Sequence, residues 1–420
     1  MKIGQNSKRT RLDDILANDN AVSVIVVLLG LLLGTLLIVL VGKSPAGMYS
    51  AMLQTLTGFD IDRGTWNSRY IGEWLTASIP LILCGLSFGF ASRTGLFNIG
   101  AEGQYIMGLT AAQFVALYFP PIPVLHWVVA LLAAALAGAL WGGLVGWLKA
   151  KFEVSEVVAT IMLNYIAFFL SRWASMQIPG ANTYKTPNFP ASAMLTSDFL
   201  QSLTNGSRLN NGLWVAILCC VLYWFVIDKT KLGFELRATG FNKEAARCSG
   251  IKVTSRVTIS MVFAGMFAGL AGAVVALGSF NYGRVLSGLD NYGFNGIAAA
   301  LVGNNTAGGT FVAGLLFGML ASAQPLMQSR QIPKEITWII SGLVVVLISL
   351  RAGAKLFLDW RAKNKTQAAG NQDAEPPNQD RPNAELSGPD RPSHDSLGVN
   401  KGSAGSTCIK AKNGGNDANE

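Results

Sequence analysis

The chain has 420 residues, half of them hydrophobic and only 14% charged, with a net charge of +9. Soluble domains carry roughly 25% charged residues, and several apolar runs here reach the roughly 20 residues that cross a bilayer, so a polytopic membrane protein is expected and a soluble domain is excluded. Residues 361–420 hold eight Lys/Arg against eight Asp/Glu, so the whole excess belongs to residues 1–360, where positive-inside topology explains it better than a nucleic-acid partner does.

In chain order, a basic segment at 1–20 (Lys2, Lys8, Arg9, Arg11) precedes the first apolar run, 22–41. That run exceeds the 7–15-residue core of a secretory signal and no clear small-residue cleavage site follows, so it reads as a retained helix. Further runs at 71–91, 100–119, 125–148, 155–171, 211–227, 257–278, 292–303, 310–326 and 336–350 bring the candidate membrane segments to ten. The segment 292–303 is the weakest, being short and rich in Gly and Ala. The expected fold is all-α, a polytopic transmembrane helical bundle of about ten segments with cytoplasmic N- and C-termini. This arrangement puts 16 Lys/Arg of residues 1–360 inside and 9 outside. Seven of the inside residues, Lys229, Lys231, Arg237, Lys243, Arg247, Lys252 and Arg256, share the loop 228–256. The opposite orientation would put that cluster outside, against the rule.

Small residues recur at four-residue spacing: Gly30 and Gly34; Gly138, Gly142 and Gly146; Gly265 and Gly269; Gly314 and Gly318. Such faces let helix backbones approach closely in lipid, so tight packing is expected there. Two outside connections, 42–70 and 172–210, are long; the second, with Pro179, Pro187 and Pro190, is too polar to enter the membrane and reads as a docking platform or a solvated link. The membrane domain runs over 21–360. Residues 361–420 are too poor in apolar groups to offset chain entropy and are expected to be disordered. Cys84, Cys219, Cys220, Cys248 and Cys408 lack metal spacing and His126 and His394 lie far apart, so no metal site is expected.

Two segments carry the functional argument. GLFNIGAEGQ at 95–104 sets glycines, Asn98, Glu102 and Gln104 between apolar stretches. Polar, irregular chain is costly in lipid unless it is buried in protein or lines an aqueous cavity, and an ionisable residue there points to function. An ordinary turn is the bland reading. The second segment is ATGFNKEAARCSGI at 238–251: Asn242 as N-cap, Glu244 in the first turn and Gly250 as a C-terminal stop predict a helix of about two turns. So short a helix is marginal alone and needs either anionic lipid or a cytoplasmic partner beside it.

The pattern G-x-N-x-x-A-A-x-x-x-G-I, here Gly240, Asn242, Ala245, Ala246, Gly250 and Ile251, resembles the coupling-helix segment of permeases in ABC importers for branched-chain amino acids, ribose-type sugars and nucleosides. GLFNIGAEGQYIMG at 95–108 resembles the nucleoside branch, the sugar branch usually carrying an Asp-Leu-Ser element there. EVVATIMLNYIAFF at 156–169, GFNGIAAALVGNNTAGG at 293–309 and IPKEITWIISGLVVVLISLR at 332–351 agree, so the resemblance covers about residues 20–355.

It implies a permease subunit at 21–360, multi-pass in the bacterial cell membrane, with no cofactor and no chemistry of its own. ATP would be bound by a partner ATPase subunit, and the chain indeed has no G-x-x-x-x-G-K-[ST] loop. The other implied partners are a second permease subunit, non-identical in the nucleoside branch, and an extracellular substrate-binding lipoprotein. ATPase coupling is expected at Gly240, Asn242, Glu244, Ala245, Ala246, Arg247 and Gly250. Buried polar groups are candidates for the substrate path: Asn98, Glu102, Gln104, Asn164 and Asn295, with Asn304 and Asn305 beyond. Interhelical hydrogen bonding is the competing role for each. Phe97, Tyr165, Phe168 and Phe294 could stack on a base but serve packing more often. The importer of a simple sugar such as ribose is the near alternative. An ion-coupled secondary transporter is the distant one, and Glu102 is the only acid well removed from a segment end.

Overall fold

A computed structural model describes residues 19–348 and residue 350. The expected disordered tail 361–420, His394, Cys408 and most of the N-terminal segment lie outside the described residues.

The described residues are mostly helical, with small two-stranded pairings on their connections. In order they form α1 (Asp19–Leu40), α2 (Ala46–Thr57), β1 (Phe59–Asp60), β2 (Thr65–Trp66), α3 (Arg69–Arg93), α4 (Ala101–Tyr118), α5 (Leu125–Phe152) and α6 (Glu156–Met176). There follow β3 (Lys185–Asn188), α7 (Asp198–Leu203), α8 (Gly212–Trp224, extended by a π turn to Lys229), α9 (Lys231–Phe241) and α10 (Lys243–Cys248). Then come α11 (Val253–Val274, extended by a π turn to Ser279), β4 (Tyr282–Arg284), α12 (Tyr292–Val302), α13 (Ala307–Ser329) and the helical residues 334–348, α14. Each predicted apolar run coincides with a helix. Among the described residues seven helices, including α3, α5, α6, α11 and α13, are long and apolar enough to cross a membrane. The 11 residues of α12 extend about 16 Å at 1.5 Å per residue, half the ~30 Å hydrocarbon core.

Burial separates core helices from lipid-facing ones. Residues 78–91 of α3 are buried without a break, and a helix apolar all round belongs in the middle of a bundle. By contrast α5 and α6 turn Leu132, Leu136, Leu140, Phe169 and Trp173 outward. The glycine faces pack as expected: a Cβ at Gly138 would overlap the carbonyl of Gly265, and one at Gly142 that of Met261, so α5 and α11 run backbone against backbone. Gly30 and Gly34 seat Val344 and Ile340 of α14, while Gly314 and Gly318 seat Ile82 and Ser78 of α3.

The long connections carry more structure than their polarity suggested. Residues 42–70 contain α2, whose buried Met48, Ala51 and Met52 join the core around α13 and α14. In 172–210, β3 pairs antiparallel with β4, and the Leu195 amide donates to Leu277 O at 3.0 Å. His126, completely buried, bridges Ser192 Oγ (2.9 Å) and Val115 O (3.1 Å), tying this connection to α4 and α5. Partners more than sixty residues away fix this connection, and no local pattern announced them.

Candidate functional site

The chain after α3 does not make a simple cytoplasmic turn. Gly95 adopts a left-handed φ of +73° and lies backbone to backbone with Gly240 at the end of α9; a Cβ on Gly240 would sit 2.7 Å from Arg93 O. Leu96 packs in one apolar cluster with Ala246 of α10 and Val253, Val257 and Met261 of α11. The Ser260 hydroxyl donates to Thr94 Oγ1 at 2.8 Å in the same buried seam.

From there the segment runs into the bundle. Asn98, Glu102 and Gln104 are completely buried and Asn164 almost so; without partners each would cost several kcal/mol. Asn98 and Gln104 pair amide to amide, Asn98 Nδ2 donating to Gln104 Oε1 (3.0 Å) and Gln104 Nε2 to Asn98 Oδ1 (3.2 Å). Asn98 also donates to Ser87 Oγ of α3 (3.1 Å) and accepts from the Gly100 amide (3.1 Å). Ser87 belongs to Gly85-Leu86-Ser87-Phe88-Gly89, which has the G-x-S-x-G spacing of hydrolase nucleophiles. Here it lies inside a continuous helix with its hydroxyl committed to the amides, and that arrangement makes no exposed elbow. Asn164 of α6 pins the segment from its other side, accepting from the Gly103 amide (2.8 Å) and donating to Ile99 O (3.1 Å).

Glu102 reaches furthest. One carboxylate oxygen accepts from the Asn291 amide (2.7 Å) and the other from the Gly293 amide (2.6 Å), at the first turn of α12. An acid from another helix thus supplies the cap that α12 lacks locally, since no side chain at its own N-cap position does so; a carboxylate there also complements the positive end of the helix dipole. One turn on, Tyr105 Oη donates to Asp290 Oδ2 (2.9 Å), and Arg284 closes a two-pronged pair on the same carboxylate, Nη2 lying 2.8 Å from Oδ1. Residues 290–293 are held by α4 at three successive points.

The same turn forms the wall of a cavity of about 780 Å³. Asp290, Asn291, Tyr292 and Asn295 line it, opposed by Gln324 of α13 and by Trp338 and Ser341 of α14. A second cavity, about 420 Å³, shares Ala77, Tyr292 and Ala321 with it and extends to Arg69, Glu73 and Arg208. There Arg208 grips Glu73 through two guanidinium nitrogens (2.9 and 2.7 Å), and this bonding holds it above the ordinary arginine pKa. Of the predicted path residues, Asn295 lines the larger cavity; Asn98, Glu102, Gln104 and Asn164 form its scaffold, one layer behind. Phe294 also lines it, whereas Phe97 packs edge-on against Phe88 (4.9 Å). Asn305 lies apart, its carbonyl accepting from Arg93 Nε (2.9 Å) and Tyr223 Oη (2.7 Å).

The second predicted segment forms α10, a six-residue helix. Asn242 Oδ1 accepts from the amides of Glu244 and Ala245, both at 3.0 Å. Gly250 ends the turn with φ +81°, its amide reaching Arg247 O and that of Ile251 reaching Ala246 O, the double bond of a Schellman motif. Ala246 is buried, while Glu244 and Arg247 form an exposed pair at 3.3 Å. Beside them, unmarked by the sequence pattern, Phe241 is 90% exposed. Among the described residues no group of three or more His, Cys, Asp or Glu is placed to hold a metal.

Residues 70–349 match the family model described as branched-chain amino acid transport system / permease component. The chain is 41% identical over 329 residues to the guanosine ABC transporter permease protein NupP of Bacillus subtilis, covering 78% of this chain and 92% of that protein. It is 36% identical over 338 residues to the nucleoside ABC transporter permease protein NupB of Lactococcus lactis (79% and 90% covered). The glucose ABC transporter permease protein TsgB13 of Haloferax volcanii is 33% identical over 342 residues (77% and 86% covered).

Proposed function

The chain belongs to the branched-chain amino acid transport system permease family, and on that premise we propose that it is the nucleoside-translocating permease subunit of an ABC importer. The observation that carries the reading is the cavity at α12. Ligand sites of roughly 300–1,000 Å³ with a few placed polar groups suit small molecules, and this one, about 780 Å³, offers amides, a hydroxyl and aromatic rings together. Ribose hydroxyls and base edges both donate and accept hydrogen bonds, which suits Asn291, Asn295, Gln324 and Ser341. Asn291 and Asn295 are exposed in the single chain, and an amide facing hydrocarbon is costly. That side is therefore closed by a second permease subunit, a non-identical one as the family resemblance favours, and the path runs between the two.

Charge supports a neutral substrate. Half-helix N-termini in transporters can hold anionic groups, but Glu102 already occupies the end of α12. A carboxylate-bearing substrate such as an amino acid finds no free positive end there. A simple sugar shares the neutrality but leaves the aromatic walls, Tyr292, Phe294 and Trp338, without a flat partner; we take it as the second reading.

The bundle crosses the membrane ten times with both termini cytoplasmic, α12 completing its pass together with the chain that descends from β4. That topology puts α10 and Phe241 on the cytoplasmic face, against the ATPase subunit, and the connection 172–210 outside, toward a binding lipoprotein. ATP is bound by the partner and the permease itself carries no cofactor.

Uptake of labelled guanosine, uridine, adenosine and ribose into vesicles holding this chain with its ATPase, second permease and binding protein tests the proposal. ATP-dependent nucleoside uptake exceeding ribose uptake is expected. Nucleoside uptake by this chain alone without ATP would overturn the importer reading, and preferential ribose uptake would overturn the substrate.

A further inference from the structure

We propose that residues 95–104 act as a rigid strut between the coupling element and the cavity wall, and that Glu102 is its positioning residue: it fixes the first turn of α12 without touching substrate. The inference rests on the importer reading and says where within that machine the motion is transmitted.

The strut is continuous. At its cytoplasmic end the Gly95 and Gly240 backbones meet with no room for a side chain, two residues before Asn242, the cap of α10, and Leu96 lies in one cluster with Ala246 of α10. Along its length it cannot bend freely, because the Asn98–Gln104 amide pair closes it on itself and Asn164 binds it at both Ile99 and Gly103. At its far end both Glu102 oxygens are bonded to amides of residues 291 and 293, and a Cβ on Gly293 would sit 2.6 Å from Glu102 Cα. Between those two amides lies Tyr292, which lines both cavities. A displacement of α10 therefore meets packed backbone and satisfied hydrogen bonds all the way to Tyr292. Packed elements of this kind switch between discrete arrangements rather than deform continuously. The polar groups look superfluous to a mere turn, but a strut in lipid has no water to lean on and must satisfy its own polar atoms.

The test uses the purified complex of both permeases and the ATPase, reconstituted with the binding protein, and reads nucleoside transported per ATP hydrolysed. Glu102→Gln keeps the shape but loses the charge and one of two acceptors. The ratio should fall about tenfold, within the range typical of coupling between sites, while the KM for uptake moves less than about threefold, the smaller effect expected when ground-state binding is kept. Gly95→Ala, with its Cβ 3.1 Å from Gly240 O and a left-handed backbone to strain, should give the same uncoupling from the opposite end. Asn295→Ala is the contrast: it should raise KM and leave the ratio near that of the unmodified complex. If both strut variants transport with the unmodified ratio, or if they raise KM as Asn295→Ala does, the strut is wrong. Should Glu102→Gln fail to assemble, Gly95→Ala carries the test alone. Absence of ATP-driven nucleoside uptake in the unmodified complex would instead indict the importer reading.

Discussion

Two short helices, α10 and α12, solve the same problem in opposite ways. Each begins with amides that no helical carbonyl can satisfy. In α10 the answer is local: Asn242 accepts from amides two and three residues ahead of it. In α12 the acceptor is Glu102, 189 residues away in sequence, on another helix. A local cap lets α10 begin without help from any other helix. A remote cap makes the position of α12 depend on α4, so α12 follows whatever moves the 95–104 segment. In the strut we propose, the difference suits a helix that receives a motion and one that is moved by it.

That contrast can be broken most severely at the remote cap. Gly293→Ala forces a Cβ against the Glu102 backbone, and overpacking of this kind costs typically about 1–3 kcal/mol. Thermal melting of the detergent-purified permease should drop by several degrees and uptake should fall on the order of a hundredfold, the upper end of that range. A melting temperature equal to that of the unmodified protein would mean that α12 is not clamped. Phe241→Ala sharpens the contrast from the other side. Phe241 contacts little in the chain itself, so permease stability should not change, whereas a binding hot spot of about 2 kcal/mol predicts roughly thirtyfold weaker titration of the ATPase subunit. Undiminished ATPase affinity would remove Phe241 from the coupling surface. The smallest effect is expected at the local cap, where Asn242→Ala loses about 1 kcal/mol and slows uptake about fivefold, while Asn242→Asp, an equally good cap, restores it. If Asp does not rescue, Asn242 acts by contact with the partner rather than by capping.

The cap of α10 was legible because everything that makes it lies within ten residues: Asn242, two alanines and Gly250. The helix before it, α9, was not, since its buried residues (Gly233, Leu236, Thr239) show no strong periodic apolar face. Likewise α2 was hidden in a connection whose composition reads as mixed, because its burial depends on α13 and α14. GLFNIGAEGQ stood out as costly in lipid, and the same cost now explains how thoroughly its polar atoms are paired.

By itself the sequence determined the membrane environment, the helical runs, the glycine faces and the short capped helix α10, because each follows from local spacing, helix caps or the expense of polar groups in hydrocarbon. Only the tertiary structure decided that Asn98, Glu102, Gln104 and Asn164 stand behind the cavity while Asn295 lines it. It alone also decided that α12 is a half-length helix held by a distant carboxylate. Burial and hydrogen-bond partners across tens to hundreds of residues are properties of the packed bundle. An amide or an acid looks the same in sequence whether it faces a substrate or another backbone.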